Sequence, residues 1–189
     1  MTAAAWNFSD LTLRTERLDL RPLRASDTSR VFEIRSSPEV MRYGSSGPWT
    51  KVEQAEQWLA NNMAAVAAGD YVRLALVPAG QDDIIGTCLL FHFHRESRRA
   101  EIGYELHPAH WHQGYMHEAL RALIGYGITV LELNRIEADI HPDNLASALT
   151  VERQGFKREG LLRERWIVDG SVSDTILYGL LAREWLGAS

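Results

Sequence analysis

Apolar residues recur along this chain with two periods, and the switches between them mark its elements. Leu18, Leu20 and Leu23 predict a first strand broken near Pro22. Residues 27–35 read as a short helix that ends before Pro38, since proline disfavours the helical region for its predecessor. The run Gly44-Ser45-Ser46-Gly47-Pro48 has loop chemistry. Beyond it Val52, Ala55, Leu59, Met63 and Val66 share one helical stripe, opened by a capping box from Thr50 to Glu53 and closed by Gly69. Residues 71–77, 84–93 and 99–106 then read as strands, and the short turns between them predict an antiparallel meander. The helical period returns in Met116, Leu120, Leu123, Gly127 and Leu131, which predicts a helix over residues 114–130, followed by a strand over 135–140. A strand, helix, strand order requires a parallel crossover. A second helix opens at Asn144 and closes at Gly155, and strands over 156–167 and 171–181 meet at Val168-Asp169-Gly170. The expected fold class is α/β (α+β), a mixed central sheet of about seven strands with an antiparallel meander, then a parallel crossover, and about four helices.

Composition narrows the setting. A chain of 189 residues, 46% hydrophobic, fits a single domain over 1–189 with a full-sized core and a flexible leader at residues 1–10. It carries no run of roughly 18 apolar residues and no signal-peptide pattern, so a cytoplasmic protein without membrane contact is expected. The single cysteine, Cys88, lies in an apolar run and reads as a buried, inert thiol. A net charge of -5 argues against direct nucleic acid binding and suits a cationic partner such as an amine.

Candidate chemistry concentrates where the third meander strand feeds the next helix. Glu101, Gly103 and Glu105 share one face of that strand and Ala100, Ile102, Tyr104 and Leu106 the other, because side chains alternate. The strand leads into Gln113-Gly114-Tyr115-Met116, the first turn of a helix, whose unpaired N–H groups and dipole favour an anion. Histidines 92, 94, 107, 110, 112 and 117 surround this stretch, but their spacing fits no familiar ligand pattern, so no metal is expected.

Five blocks, in order, resemble the GNAT superfamily of N-acetyltransferases over nearly the whole chain. They are Leu13-Arg14-Thr15-Glu16-Arg17-Leu18 with Leu20-Arg21-Pro22-Leu23; Glu101-Ile102-Gly103-Tyr104; Trp111-His112-Gln113-Gly114-Tyr115-Met116-His117-Glu118-Ala119-Leu120; Asn144-Leu145-Ala146-Ser147; and Glu152-Arg153-Gln154-Gly155-Phe156. The likeness is closest to the ribosomal-protein N-terminal (alanine/serine) acetyltransferase type. It implies acetyl-CoA as co-substrate, with its pyrophosphate on the N–H groups of His112, Gln113, Gly114, Tyr115, Met116 and His117. It further implies that the pantetheine arm pairs with Tyr104, Glu105 and Leu106, with the Leu106 N–H facing the thioester oxygen, and that Asn144 and Ser147 hold the arm and the sulfur. The chain departs from the broad pattern at Trp111, where Gln or Arg is usual, and at Met116, where Gly or Ala is usual. A main-chain grip tolerates both if Met116 points into the core.

The implied reaction is attack of a neutral amine on a thioester, which needs a base for the ammonium and a proton for the thiolate. Glu101 is the first candidate base, Asp139 the second and Glu137 a third; the bland reading of Glu101 is a salt bridge with Arg99 or Arg135. The tyrosine acid found in many superfamily members falls at Val151, so Ser147 is the candidate donor to sulfur. Asn144 and Ser147 could equally be helix caps, and Trp49, Trp58 and Trp166 either line the acceptor cleft or pack the core. The expected acceptor is a protein N-terminal α-amine. The alternatives are a small amine (polyamine, amino acid or antibiotic) or a non-catalytic acyl-CoA-binding module. A homodimer is also implied, since related proteins often form one.

Overall fold

In the computed structural model, which describes residues 6–187, the chain builds one eight-stranded sheet. β1 (Leu13–Arg14) and β2 (Leu18–Arg21) form one edge, and α1 (Thr28–Ser36), α2 (Pro38–Met41) and α3 (Val52–Ala68) follow. The meander is β3 (Val72–Pro78), β4 (Gly86–His94) and β5 (Arg99–Leu106). Then come α4 (Tyr115–Thr129), β6 (Arg135–Ile140), α5 (Leu145–Glu152), the hairpin of β7 (Lys157–Val168) and β8 (Ser171–Leu181), and α6 (Ala182–Leu186). The strands lie in the order β1-β2-β3-β4-β5-β6-β8-β7. β5 and β6 are the parallel pair that the crossover requires. The expected counts fall short by elements too brief to show a period: two-residue β1, four-residue α2 and five-residue α6.

Each face of the sheet buries its own core. Met116, Leu120, Leu123 and Ile124 of α4 and Val151 of α5 pack on Leu74, Leu90, Ile102, Ile136 and Tyr178. Val31 and Ile34 of α1 and Ala55 and Leu59 of α3 pack on Ala75 and Val77 on the opposite face. Each fully buried leucine or isoleucine contributes roughly 1.5–3 kcal/mol of transfer free energy. Cys88 is completely buried, and desolvation pushes its thiol up to about 12, so it is inert as expected.

Two local expectations change. In α3 the buried positions are Ala55, Leu59, Asn62 and Val66, while Val52 and Met63 are 39% and 45% exposed. Asn62 replaces Met63 on the inner stripe because its amide donates to the Tyr71 hydroxyl at 3.1 Å, which satisfies a polar group where an apolar one was expected. The cap is formed by Gln54 rather than Glu53, its carbonyl accepting from Thr50 and Lys51 N–H. Nor is the leader free from residue 6 onward: Phe8 is buried, its N–H donates to the Val66 carbonyl, and Trp6 packs edge-on against Phe93 at 5.0 Å. Residues 1–5 lie outside the described residues.

One feature of the sheet positions the site. β5 pairs with β6 only from Arg99↔Arg135 to Glu101↔Glu137, yet β5 stays paired with β4 as far as Leu106. Beyond Glu101 the two parallel strands part, opening a wedge in the sheet.

Candidate active site

The wedge has a defined chemical edge. His107 N–H donates to the Ile85 carbonyl at 2.8 Å. In an antiparallel ladder alternate residues turn their main-chain groups toward the same neighbour, so His107, Glu105 and Gly103 face β4, while Leu106 and Tyr104 face the wedge. The Leu106 carbonyl accepts from the Trp111 indole at 2.8 Å, leaving its N–H as the available group. Trp111 thus has a use that a Gln-or-Arg pattern would not suggest.

At the mouth of the wedge, α4 begins after an irregular turn. His112 has φ 59 and Gly114 φ 81, a left-handed geometry that glycine adopts without strain. The first internal bond of α4 runs from Glu118 N–H to the Gly114 carbonyl, so the N–H groups of Tyr115, Met116 and His117 have no intrahelical acceptor. Met116 is buried in the core, so its departure from a small residue costs the turn nothing.

Tyr104 and α5 close the other side. The Tyr104 hydroxyl donates to the Ser147 carbonyl at 3.1 Å, and burial pushes its phenol up to about 12, so it serves as neutral scaffold. Asn144 caps α5 by accepting from Ser147 N–H at 3.1 Å, which bears out the cap reading while leaving its amide NH2 to donate elsewhere. Val151, where the tyrosine acid would stand, is fully buried.

The face of β5 and β6 that bears Glu101 carries four carboxylates, and their partners separate them. Glu137 binds Arg99 at 2.6 Å and Arg135 at 2.7 Å; burial raises its pKa, but the two guanidiniums outweigh that and hold it below the ordinary range. Glu105 is held by Arg35 at 3.1 Å and Asp139 by Arg165 at 3.4 Å. Glu101 meets neither Arg99 nor Arg135, the partners its bland reading named; its contact is His92 Nδ1 at 3.1 Å. Gly103, between Glu101 and Glu105, lets the Leu89 side chain pack onto β5, since a Cβ there would come within 2.8 Å of it. Tyr43, stacked on His141 at 4.9 Å, borders the wedge from the α2–α3 loop. Trp49 and Trp58, edge-on to each other, both contact the Arg35 guanidinium and pack against the second core, whereas Trp166 is 40% exposed on β7. A cavity of about 750 Å3 between β2 and Asp82–Asp83 is lined by none of these wedge residues, and its arginines and aspartates balance.

Comparison with known proteins decides the family. A model described as an acetyltransferase (GNAT) domain matches residues 17–157. The chain belongs to the GNAT acetyltransferases. It is 38% identical to the N-acetyltransferase p20 of Bacillus licheniformis over 176 residues, covering 93% of this chain and 99% of that protein. It is 23% identical to the spermidine N(1)-acetyltransferase of Vibrio cholerae over 173 residues, 92% of this chain and 98% of that protein. A solved structure provisionally assigned as a ribosomal-protein-serine acetyltransferase, also from Vibrio cholerae, matches with TM-score 0.82 at 26% identity, covering 92% and 98% of the two chains. This GNAT protein is therefore an acetyl-CoA-dependent N-acetyltransferase.

The free N–H groups of the turn and the unpaired edge of β5 fit the two polar parts of acetyl-CoA, its pyrophosphate and its amide-bearing arm. Sequence reasoning missed one contributor, Arg17. Its guanidinium donates to the Gln113 carbonyl at 2.9 Å, stacks on Tyr115 at 4.7 Å and pairs with Glu118 at 2.7 Å. Glu118 also accepts from Thr15 and from Arg17 N–H, so one carboxylate ties the turn to β1 and β2. Burial raises the Glu118 pKa, but these bonds outweigh it and hold it below the ordinary value. A depressed carboxylate stabilises the fold above its ordinary value near 4.3 and loses that contribution as pH falls through its folded value. The thermal-stability deficit of Glu118→Gln is therefore expected to be largest at pH 7 and to close as pH drops below about 4. A deficit independent of pH, measured by thermal melts, would show that the charge is not what braces the turn. The signal was present in Arg17 and Glu118 within matching blocks, but only the fold brings them together.

Proposed function

We propose that this protein acetylates the N-terminal α-amine of a protein by direct attack on acetyl-CoA in a ternary complex, as a ribosomal-protein-type acetyltransferase. The observation that carries this reading is Glu101, which alone among the four carboxylates on that face of β5 and β6 pairs with no arginine among the described residues. A carboxylate free of a guanidinium can take a proton from an ammonium. Glu101 is the base in this reading, directly or through water, with Asp139 its weaker rival. An α-amine costs about 1.4 kcal/mol to deprotonate at pH 7, a lysine amine about 4.6 kcal/mol. One carboxylate set back from the edge of β5 suits the first far better.

The remaining roles follow from the wedge. The N–H groups of residues 112–117 hold pyrophosphate, Tyr104 to Leu106 pair with the arm, and the Asn144 amide donates to it. The Leu106 N–H stabilises the oxyanion, a contribution of roughly 3–4 kcal/mol for a well-placed donor. Ser147, whose hydroxyl makes no bond to other described residues, donates to sulfur. Protonating an ordinary thiolate is favourable by about 2 kcal/mol at pH 7, which makes a tyrosine at position 151 dispensable.

A second reading, a small polyamine acceptor, draws support from the likeness to a spermidine acetyltransferase and from the Tyr43–His141 stack beside the wedge. Thiol release with peptides of varied N-terminus, polyamines, amino acids and aminoglycosides separates the two. Peptides with N-terminal Ala or Ser should turn over at least tenfold more efficiently than spermidine; the reverse ranking overturns the proposal.

A further inference from the structure

We infer that His92 is the proton outlet of Glu101, a positioning residue that links the base to solvent. The inference rests on Glu101 being the base. Its geometric ground is independent of that reading. Along a regular β4, side chains alternate, and Phe91, paired across from Glu101, shares the Glu101 face; residue 92 would then point to the opposite core. Instead the ladder is irregular between Phe91 and His94, and His92 sits at φ 50. A left-handed non-glycine residue is strained, and such strain gathers at functional sites. The bulge brings the imidazole round so that Nδ1 lies 3.1 Å from Glu101 Oε1. Glu101 is 15% exposed and His92 64%, so the ring spans from a nearly buried carboxylate to water.

The surrounding charges leave this as the route. On β5, Arg99 is engaged by Glu137; on β6, Glu137 is held by Arg99 and Arg135; on β7, Glu159 is held by Arg135. On β4 itself His94 turns its Nδ1 to the Ser97 N–H. Guanidiniums do not exchange protons near neutral pH, whereas imidazole does. With the His92 ring as its Nε2–H tautomer, the acceptor ammonium gives a proton to Glu101, Glu101 passes it to the bare Nδ1, and the Nε2 proton leaves to water. Exchange with solvent returns the ring to its starting tautomer. The lone pair freed on the amine forms the C–N bond as the C–S bond breaks with its electron pair on sulfur, and the second amine proton goes to that thiolate, so each turnover releases one proton to bulk through His92.

The test is His92→Gln, which keeps a hydrogen-bonding group beside Glu101 but cannot relay a proton, and His92→Gly, which relieves the left-handed backbone. A peptide with a free N-terminal serine is the acceptor, or spermidine if the peptide is inert. Both variants should fold with unchanged or higher thermal stability, bind acetyl-CoA normally, and lose about tenfold in kcat at pH 7. Added imidazole should restore kcat in His92→Gly in proportion to its concentration. Wild-type kcat in both variants across pH 6–9 overturns the inference, as does a loss that imidazole leaves untouched. Glu101→Gln in parallel keeps the two ideas apart. If it too is fully active, the base assignment has failed; if it alone is slow, the outlet has failed and the base stands.

Discussion

Replacing Glu101 with Gln is expected to lower kcat about a hundredfold at pH 7, within the range that a positioned general base contributes, while acetyl-CoA affinity stays unchanged. The substitution is nearly isosteric and its amide NH2 can donate to the Nδ1 of its contact, His92, so the fold has little reason to respond. The deficit should shrink as pH rises past about 8, where an α-amine is already neutral and needs no base. Asp139→Asn should cost less, because Asp139 is committed to Arg165. Steady-state rates from pH 6 to 9 for both variants decide the assignment. Full activity in Glu101→Gln with a collapse in Asp139→Asn would transfer the role to Asp139.

The sequence carried the wedge further than it carried the base. The alternation of Ala100, Ile102, Tyr104 and Leu106 against Glu101, Gly103 and Glu105 is a local property of one strand, and the structure keeps it. The turn at Gly114 is equally local, since a glycine in front of a helical stripe announces both the left-handed residue and the open N–H groups. Which carboxylate is free is not local. Arg99 and Arg135 look available to Glu101 in sequence, but the parallel register sets Glu101 opposite Glu137, and both guanidiniums close on Glu137. The bulge at His92 is likewise invisible, because strands over residues 84–93 read the same with or without it. The same limit explains Phe8: with Trp6 and Leu11 it makes too short an apolar set to fix a period, and only the packed sheet shows that it docks.

The second large effect follows from the grip being made of main chain. Gly114→Val is expected to weaken acetyl-CoA binding about a hundredfold, close to 2.7 kcal/mol, in calorimetric titration. Gly114 sits at φ 81, where a β-branched residue is an outlier, and a Cβ there would stand 3.3 Å from the Arg17 guanidinium. The turn would have to rebuild, and the N–H groups of Tyr115 to His117 would no longer converge on one anion. Because Gly114 is exposed at the surface, the core should survive, and the melting temperature should fall by only a few degrees for a cost near 1 kcal/mol. Gln113→Ala is the discriminating control. Its side chain bonds back to the Ala109 carbonyl and need not touch a ligand, so affinity should change less than threefold. An equal loss in both variants would mean that side chains hold the phosphates. A loss confined to Gly114→Val ties donor recognition to backbone geometry, which explains how Trp111 and Met116 can depart from the family pattern without cost to it.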